Sequence, residues 1–133
     1  MRGRSLFTVL IFMAIGGVLS AHHSISAVYD TRQPVSVEGV ITEFHFVNPH
    51  PYLVIEGKEA GGEAQPWHME MDNLGELVAV GVTKDTLRPG DRVTVTGSRS
   101  RSKRQSLYVR KLVRSGDGFE YEQVGSSPRV KRP

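Results

Sequence analysis

The sequence of 133 residues contains no cysteine. This absence excludes disulfide bonds, thiolate metal ligands, a cysteine nucleophile and a lipid anchor on cysteine. A chain of this length is enough for one domain with a modest hydrophobic core, which must then stabilise the fold by itself. Catalytic signatures are lacking too, since there is no Gly-x-Ser-x-Gly elbow, phosphate-binding loop or dinucleotide-binding glycine motif. The sequence therefore favours a single domain that is not an enzyme.

Only one long apolar run is present, and it lies at the start of the chain. Arg2 and Arg4 precede the apolar stretch Leu6–Leu19, and a small Ser-Ala pair follows it. This three-part pattern predicts a cleavable signal peptide over residues 1–21. The alternative is a membrane anchor, but the run is short for a span of about 20 residues. We expect a periplasmic or secreted protein with no membrane span after cleavage.

The alternation of apolar and polar residues predicts a mainly β domain over residues 22–124. The predicted strands are Val35–Phe46, Tyr52–Glu56, Pro66–Met71, Arg92–Ser98, Leu107–Arg114 and Phe119–Tyr121. Residues Leu74–Val80 have helical spacing, with Asn73 as the N-cap. Three strands, a helix and two further strands is the order of the OB barrel. We expect a small OB-like barrel of five or six strands with one helix between strands 3 and 4, followed by a disordered basic tail at 125–133.

Two details of this pattern carry structural predictions. The apolar phase of the first strand shifts after Gly39, which predicts a β-bulge or sharp bend at that glycine. Trp67, Met69 and Met71 alternate strictly on the third strand. This alternation favours core packing over a soft-metal site.

Several motifs occur together, in an order that is found in a known family. They are Ala21-His22-His23-Ser24, Val37-Glu38-Gly39, Asn48-Pro49-His50, Trp67 with Glu70, and Leu87-Arg88-Pro89-Gly90-Asp91. From His22 to Val113 the chain resembles a family of small exported bacterial proteins classed as domain of unknown function 6152. The resemblance implies an exported OB-like domain. It implies no established activity, so no catalytic residue is carried over.

All five histidines lie between His22 and His68. His45 ends the first predicted strand, His50 follows between two prolines, and His68 lies on the third strand. In a three-stranded meander these imidazoles can gather at one end or on one outer face of the domain, with Glu43 and Glu70 nearby. Imidazoles with a carboxylate suit Zn(II), Cu(II) or Ni(II). The alternative is that His45 and His68 are partly exposed strand residues and that His50 shapes its loop.

The predicted cleavage site adds a second group of ligands. A cut after Ala21 makes His22 the first residue, whose amine and imidazole can chelate one metal ion together. A cut after Ser20 places His23 third, an arrangement that binds Cu(II) in a square plane. The alternative is a polar, flexible arm. The first functional hypothesis is therefore a monomeric, exported metal-binding accessory protein for copper or zinc, with the candidate ligands His22, His23, His45, His50 and His68.

The second hypothesis concerns the basic region Arg99–Arg114, which contains seven basic residues and no acidic one. In an OB barrel the loop between strands 4 and 5 borders the usual ligand face. Its predicted binding residues are Arg101, Lys103, Arg104 and Tyr108, with the tyrosine as a stacking surface. Without the two leader arginines the chain has 15 basic and 14 acidic residues, so its net charge does not indicate a nucleic-acid partner. Because the protein is expected to be exported, we expect the basic region to bind an exported anionic partner. The alternative is a solvated loop that improves solubility.

Overall fold

The computed structural model describes residues 25–133, so the predicted signal peptide, His22 and His23 lie outside the described residues. The described chain is mainly β, as predicted. It contains two short helices, α1 (Ile25–Val28) and α2 (Leu74–Ala79). It contains seven strands: β1 (Tyr29–His45), β2 (Tyr52–Lys58), β3 (Gln65–Glu70), β4 (Arg92–Ser100), β5 (Ser106–Arg114), β6 (Glu120–Val124) and β7 (Ser127–Lys131). Within residues 25–133, no helix has the length and apolar character needed to cross a membrane.

The strands form one sheet in the order β3-β2-β1-β4-β5-β6-β7, and neighbours in this order are antiparallel. β3 also pairs in parallel with β5, which matches Met69 with Leu107 and closes β1 to β5 into a partial ring. In the chain α2 lies between β3 and β4, where the sequence predicts a helix. The sheet has seven strands rather than five or six because β6 and β7 extend it beyond the ring.

The last strand corrects the prediction of a disordered tail at 125–133. Ser127–Lys131 form β7, which pairs with β6 across a turn at Gly125. Pro128 is buried and Val130 packs against the core, whereas the basic residues between and after them are exposed. The composition suggested disorder, but the basic residues occupy the outward positions of a strand with an apolar inner face.

β1 is longer than predicted and changes its inward phase at a different residue. Ile41 faces the core and pairs with β2 in register, and the next paired residue is Glu43. Thr42 is therefore the extra residue of a bulge, after which Phe44 packs against the core. Gly39 is needed for another reason, because a Cβ there would lie 2.4 Å from the carbonyl oxygen of Glu56. The predicted bend at the glycine is thus a close approach of two strands.

The hydrophobic core contains the predicted stripe on the third strand. Trp67, Met69 and Met71 are each at most 1% exposed. The indole Nε1 of Trp67 donates to the carbonyl oxygen of Gly57 at 3.1 Å, so the one polar atom of that ring is satisfied inside the core. This stripe is core, and the sulfur atoms of its methionines do not form a metal site.

Candidate functional site

A groove of about 790 Å³ lies where the loop after β1, the end of β3, the start of α2 and the turn after β6 meet. Ile25 of α1 also lines it. The polar and aromatic side chains that line it include His50, Tyr52, His68, Glu70, Asp72 and Glu76. The lining as a whole comes from four separate segments of the chain, so only the folded structure brings it together.

The loop that carries His50 is held by its two prolines. The Asn48–Pro49 peptide bond is cis. The carbonyl oxygen of Pro49 accepts from the backbone N–H of Leu74 at 3.0 Å, and that of Pro51 accepts from Met71 at 2.9 Å. His50 therefore projects from a loop that is hydrogen-bonded on both sides to the segment joining β3 to α2.

The imidazole of His50 contacts a carboxylate through one nitrogen. Its Nδ1 lies 2.8 Å from Oε1 of Glu70. The geometry is that of an ion-pair contact rather than an aligned hydrogen bond, and Nδ1 is buried without another polar partner among the described residues. The side chain as a whole is 35% exposed. Its exposed part therefore lies on the other ring atoms, which include Nε2.

Glu70 is held by a buried tyrosine. Its second oxygen, Oε2, accepts a hydrogen bond from the hydroxyl of Tyr29. Tyr29 is only 5% exposed, and its ring packs against that of Tyr108 with 5.7 Å between the ring centroids. Burial raises the pKa of Tyr29, and the contact with Glu70 raises it further, so this hydroxyl stays protonated and donates.

A second tyrosine–carboxylate pair lies beside the first. Oδ2 of Asp72 accepts from the hydroxyl of Tyr108 at 3.1 Å and from Nε2 of Gln123 at 2.5 Å. Oδ1 accepts from the backbone N–H of Asn73 at 2.7 Å. The hydroxyl of Tyr121 donates to Oε1 of Gln123 at 2.7 Å. Asp72 thus ties β5 and β6 to the wall of the groove.

Glu76 differs from these carboxylates because one of its oxygens is left without a partner. Asn73 caps α2 as predicted, since its side chain accepts from the backbone N–H of Glu76 at 2.9 Å. Oε2 of Glu76 is buried and makes no hydrogen bond with the described residues. Burial raises the pKa of Glu76, and the negative charge of Asp72 adds to this effect. A cation in the groove would stabilise the charged carboxylate of Glu76 and so offset both its burial and the repulsion from Asp72.

The three described histidines do not form one cluster. The ring of Tyr52 stacks on His45 at 4.4 Å and on His68 at 4.6 Å, and these residues come from the strands on either side of it. Nε2 of His45 also contacts Oε2 of Glu43 at 2.5 Å. His45 and His68 are therefore separated by a tyrosine ring and cannot bind one ion together. The structure brings His50 and His68 to the groove and leaves His45 outside it.

The metal prediction needs ligands beyond those that the described chain supplies. Within residues 25–133, no three histidine, aspartate or glutamate side chains are arranged to hold a metal ion. Loss of water around the imidazole lowers the pKa of His68, so its ring is neutral at pH 7 and can accept a metal ion. His22 and His23, the other predicted ligands, lie outside the described residues.

The basic region provides one correction. Tyr108 is 1% exposed and its hydroxyl contacts Asp72, so neither ring face is open for stacking on a ligand. Arg101 is linked to α1, because its Nε donates to the carbonyl oxygen of Ser26 at 3.2 Å. Lys103 and Arg104 are exposed. Binding of an anionic partner by these three basic residues stays a prediction.

The sequence pattern did not mark Asp72 and Glu76 as lining the groove. It also gave no sign that Tyr29 and Gln123 are hydrogen-bond partners of the groove carboxylates. Tyr29 and Glu70 are 41 residues apart, and Asp72 and Gln123 are 51 residues apart. No local spacing marks such pairs. The only available signal was Glu70 beside His68 on the third strand, which was noted as a neighbouring carboxylate.

Fold and site together define a small, mainly β protein with a histidine–carboxylate groove at one end of a partial ring. The chain belongs to the family of unknown function DUF6152, whose family model matches residues 11–108. His50, Glu70, Asp72 and Tyr108 fall within the matched residues, whereas Gln123 and the β6–β7 hairpin follow them. No curated protein and no solved structure matches the chain.

Proposed function

We propose that the protein is an exported accessory protein that binds a transition-metal ion, copper or zinc, in the groove beside His50. The contact between Nδ1 of His50 and Glu70 carries this proposal. Histidine ligands of metal ions usually give their second ring nitrogen to a carboxylate or carbonyl, which orients the imidazole and increases its basicity. This arrangement leaves Nε2 of His50 as the metal-binding atom.

The groove offers further donors of the kind that such ions accept. His68 lines it with a neutral imidazole, and Glu76 has a buried oxygen without a partner. Imidazole and carboxylate together suit Zn(II) and Cu(II). Among residues 25–133, neither Lys nor Arg lines the groove.

We propose that the N-terminal histidines complete the site. Ile25 lines the groove, and His23 precedes it by only two residues. Two peptide units span at most about 7 Å, so the proposal needs no long connecting arm. Cleavage after Ala21 would add the terminal amine of His22 as a nitrogen ligand.

We also propose an OB-like fold and an exported location for this protein. The five strands of the partial ring, the parallel β3–β5 pairing and the position of α2 support an OB-like barrel. The charged, apolar and small-residue regions of the first 21 residues support export to the periplasm or beyond the cell. A monomer fits one metal site in each chain.

The direct test is a calorimetric titration of the mature protein with Cu(II) and Zn(II), after intact mass has identified its first residue. We expect submicromolar affinity for Cu(II), and we expect His50→Ala to weaken binding by at least about 10-fold, because it removes the oriented nitrogen. His45→Ala is the matched control, since it removes an imidazole that lies outside the groove. Binding no stronger than that of a variant lacking all five histidines would overturn the proposal.

A further inference from the structure

We propose that Tyr29 is a positioning residue of the groove, which acts through Glu70 to hold His50 in the tautomer with its proton on Nδ1. The metal-binding step of this inference rests on the proposed function. The tautomer itself does not, because it is a property of the metal-free protein. A fixed Nδ1–H tautomer keeps the lone pair of Nε2 free for a ligand at all times.

The first step of the argument is the contact between imidazole and carboxylate. An ionised carboxylate has no proton and only accepts hydrogen bonds. If Nδ1 of His50 carried no proton, an unprotonated nitrogen and a carboxylate oxygen, both with negative partial charge, would lie 2.8 Å apart. That arrangement is repulsive, so the proton belongs on Nδ1. The short distance therefore assigns the tautomer, provided that Glu70 is held in place.

The second step is the restraint on Glu70. Its side chain is 29% exposed, so packing alone leaves it free to turn toward solvent. The hydroxyl of Tyr29 donates to its other oxygen and directs Oε1 toward His50. Because Tyr29 is buried and its ring packs on Tyr108, the hydroxyl has little freedom to follow a moving carboxylate.

The third step is the restraint on His50 itself. The carbonyl groups on both sides of it accept hydrogen bonds from the segment that follows Glu70. The backbone of the histidine and the backbone of the carboxylate therefore move as one unit. In the series Tyr29–Glu70–His50, Tyr29 lies on β1, outside this unit. We therefore infer that its hydroxyl sets the orientation of the Glu70 carboxylate toward His50.

Tyr108 supplies the matched comparison. It too is a buried tyrosine whose hydroxyl donates to a groove carboxylate, Asp72, on the segment that follows β3. Asp72 has two further donors, Gln123 and the backbone of Asn73, and no recorded contact with His50. Tyr29→Phe and Tyr108→Phe each remove one hydroxyl and keep the ring, but only Tyr29→Phe removes a hydrogen bond to the partner of His50.

The experiment measures imidazole ¹⁵N chemical shifts of the metal-free protein by NMR at neutral pH. We expect His50 to be in the Nδ1–H form in the wild type and in Tyr108→Phe. We expect Tyr29→Phe to shift it toward a mixture with the Nε2–H form, which a solvent-exposed histidine side chain favours. Glu70→Gln provides a second variant. Its amide can donate to Nδ1 while its carbonyl accepts from Tyr29, so we expect the Nε2–H form.

Metal titration then separates this inference from the proposed function. Loss of the outer partner of a metal-binding histidine costs about 10- to 100-fold in affinity, so Glu70→Gln should lose at least 10-fold. Tyr29→Phe loosens that partner without removing it, so it should lose less than Glu70→Gln and more than Tyr108→Phe. An Nε2–H wild type, or a Tyr29→Phe variant whose tautomer matches the wild type, would overturn the positioning role even if metal binds. Correct tautomers without metal binding would overturn only the proposed function.

Discussion

The groove around His50 and the basic region Arg99–Arg114 are the two charge-rich parts of this protein, and their charges are used differently. In the basic region, acidic side chains from other strands and turns neutralise much of the charge. In the groove, the carboxylates have no Lys or Arg partner among the described residues. Uncompensated charge in a groove is a better indication of a ligand than a run of like charges in the sequence.

The contacts of the basic region show how its charge is neutralised. Arg99 pairs with Glu59 and lies 5.4 Å from the ring centre of Trp67, so it covers the core as well as carrying charge. Lys111 pairs with Glu120 at 2.9 Å. Arg114 pairs with Asp91 at 2.9 Å and with Asp117, in the turn that follows β5, at 2.8 Å. These arginines and this lysine support the fold.

The groove has the opposite character. Glu70 and Asp72 accept hydrogen bonds from tyrosine hydroxyls, which satisfy their oxygens but leave their negative charge in place. Glu76 is not fully satisfied even by hydrogen bonds. The uncompensated carboxylates support the proposed binding of a cation at this end of the molecule, whereas much of the charge in the basic region is neutralised within the protein.

The largest expected effect comes from removing a groove carboxylate that also supports the fold. Asp72→Ala leaves the buried hydroxyl of Tyr108 without its acceptor and removes one acceptor of Gln123. Each unsatisfied buried donor costs about 1–3 kcal/mol, so we expect a loss of about 2–3 kcal/mol in the free energy of unfolding, measured by urea denaturation. Asp85→Ala, which removes an exposed aspartate, should stay within about 0.5 kcal/mol. Equal losses in the two variants would contradict the network drawn around Asp72.

An intermediate effect is expected from pH, through His68. The pKa of His68 lies below its ordinary value of 6.5, so the unfolded state binds a proton more readily than the folded state. The contribution to stability is complete above pH 6.5 and is lost as the pH falls through the folded-state pKa. Urea denaturation at pH 7.5 and pH 5 should show this loss, and His68→Gln should reduce it. An unchanged pH dependence in the variant would remove His68 from the explanation.

The smallest effect is expected in the exposed part of the basic region. Lys103→Gln and Arg104→Gln should each change the free energy of unfolding by less than about 0.5 kcal/mol. Lys103 helps to keep the pKa of His68 low, so Lys103→Gln should raise that pKa slightly in an NMR titration. Retention on heparin tests the competing hypothesis. A large loss of retention when Arg101, Lys103 and Arg104 are all neutralised would give this region a binding role and weaken the contrast with the groove.

Local pattern was a good guide to the elements and a poor guide to their ends. The strands around Leu53 and Trp67 and the helix capped by Asn73 lie where alternation and capping residues predict them, because these features depend on near neighbours. β7 was missed because charged residues on the outer face hid a short inner face. The bulge of β1 was assigned to Gly39 instead of Thr42, since a glycine can mark either a bulge or a close approach of two strands.

The residues of the candidate site also divide into those that the sequence marked and those that it did not. His50 stood out in the sequence because two prolines restrict it, and the structure places it in the groove. Tyr108 was predicted as a surface for stacking, but it is buried, because its ring packs against Tyr29 and its hydroxyl donates to Asp72. No local pattern linked Tyr29 to the site. Its importance depends on a hydrogen bond to a residue on a distant strand.

By itself, the sequence determined a cysteine-free, mainly β domain, the identity of its core strands and a histidine held between prolines. These properties follow from residue chemistry and from spacings of a few residues. Only the tertiary structure decided which charges are neutralised, that Tyr52 keeps His45 and His68 apart, and that Tyr29 reaches His50 through Glu70. Such pairings depend on sheet order and register, because side chains far apart in the chain become neighbours only when their strands are placed side by side.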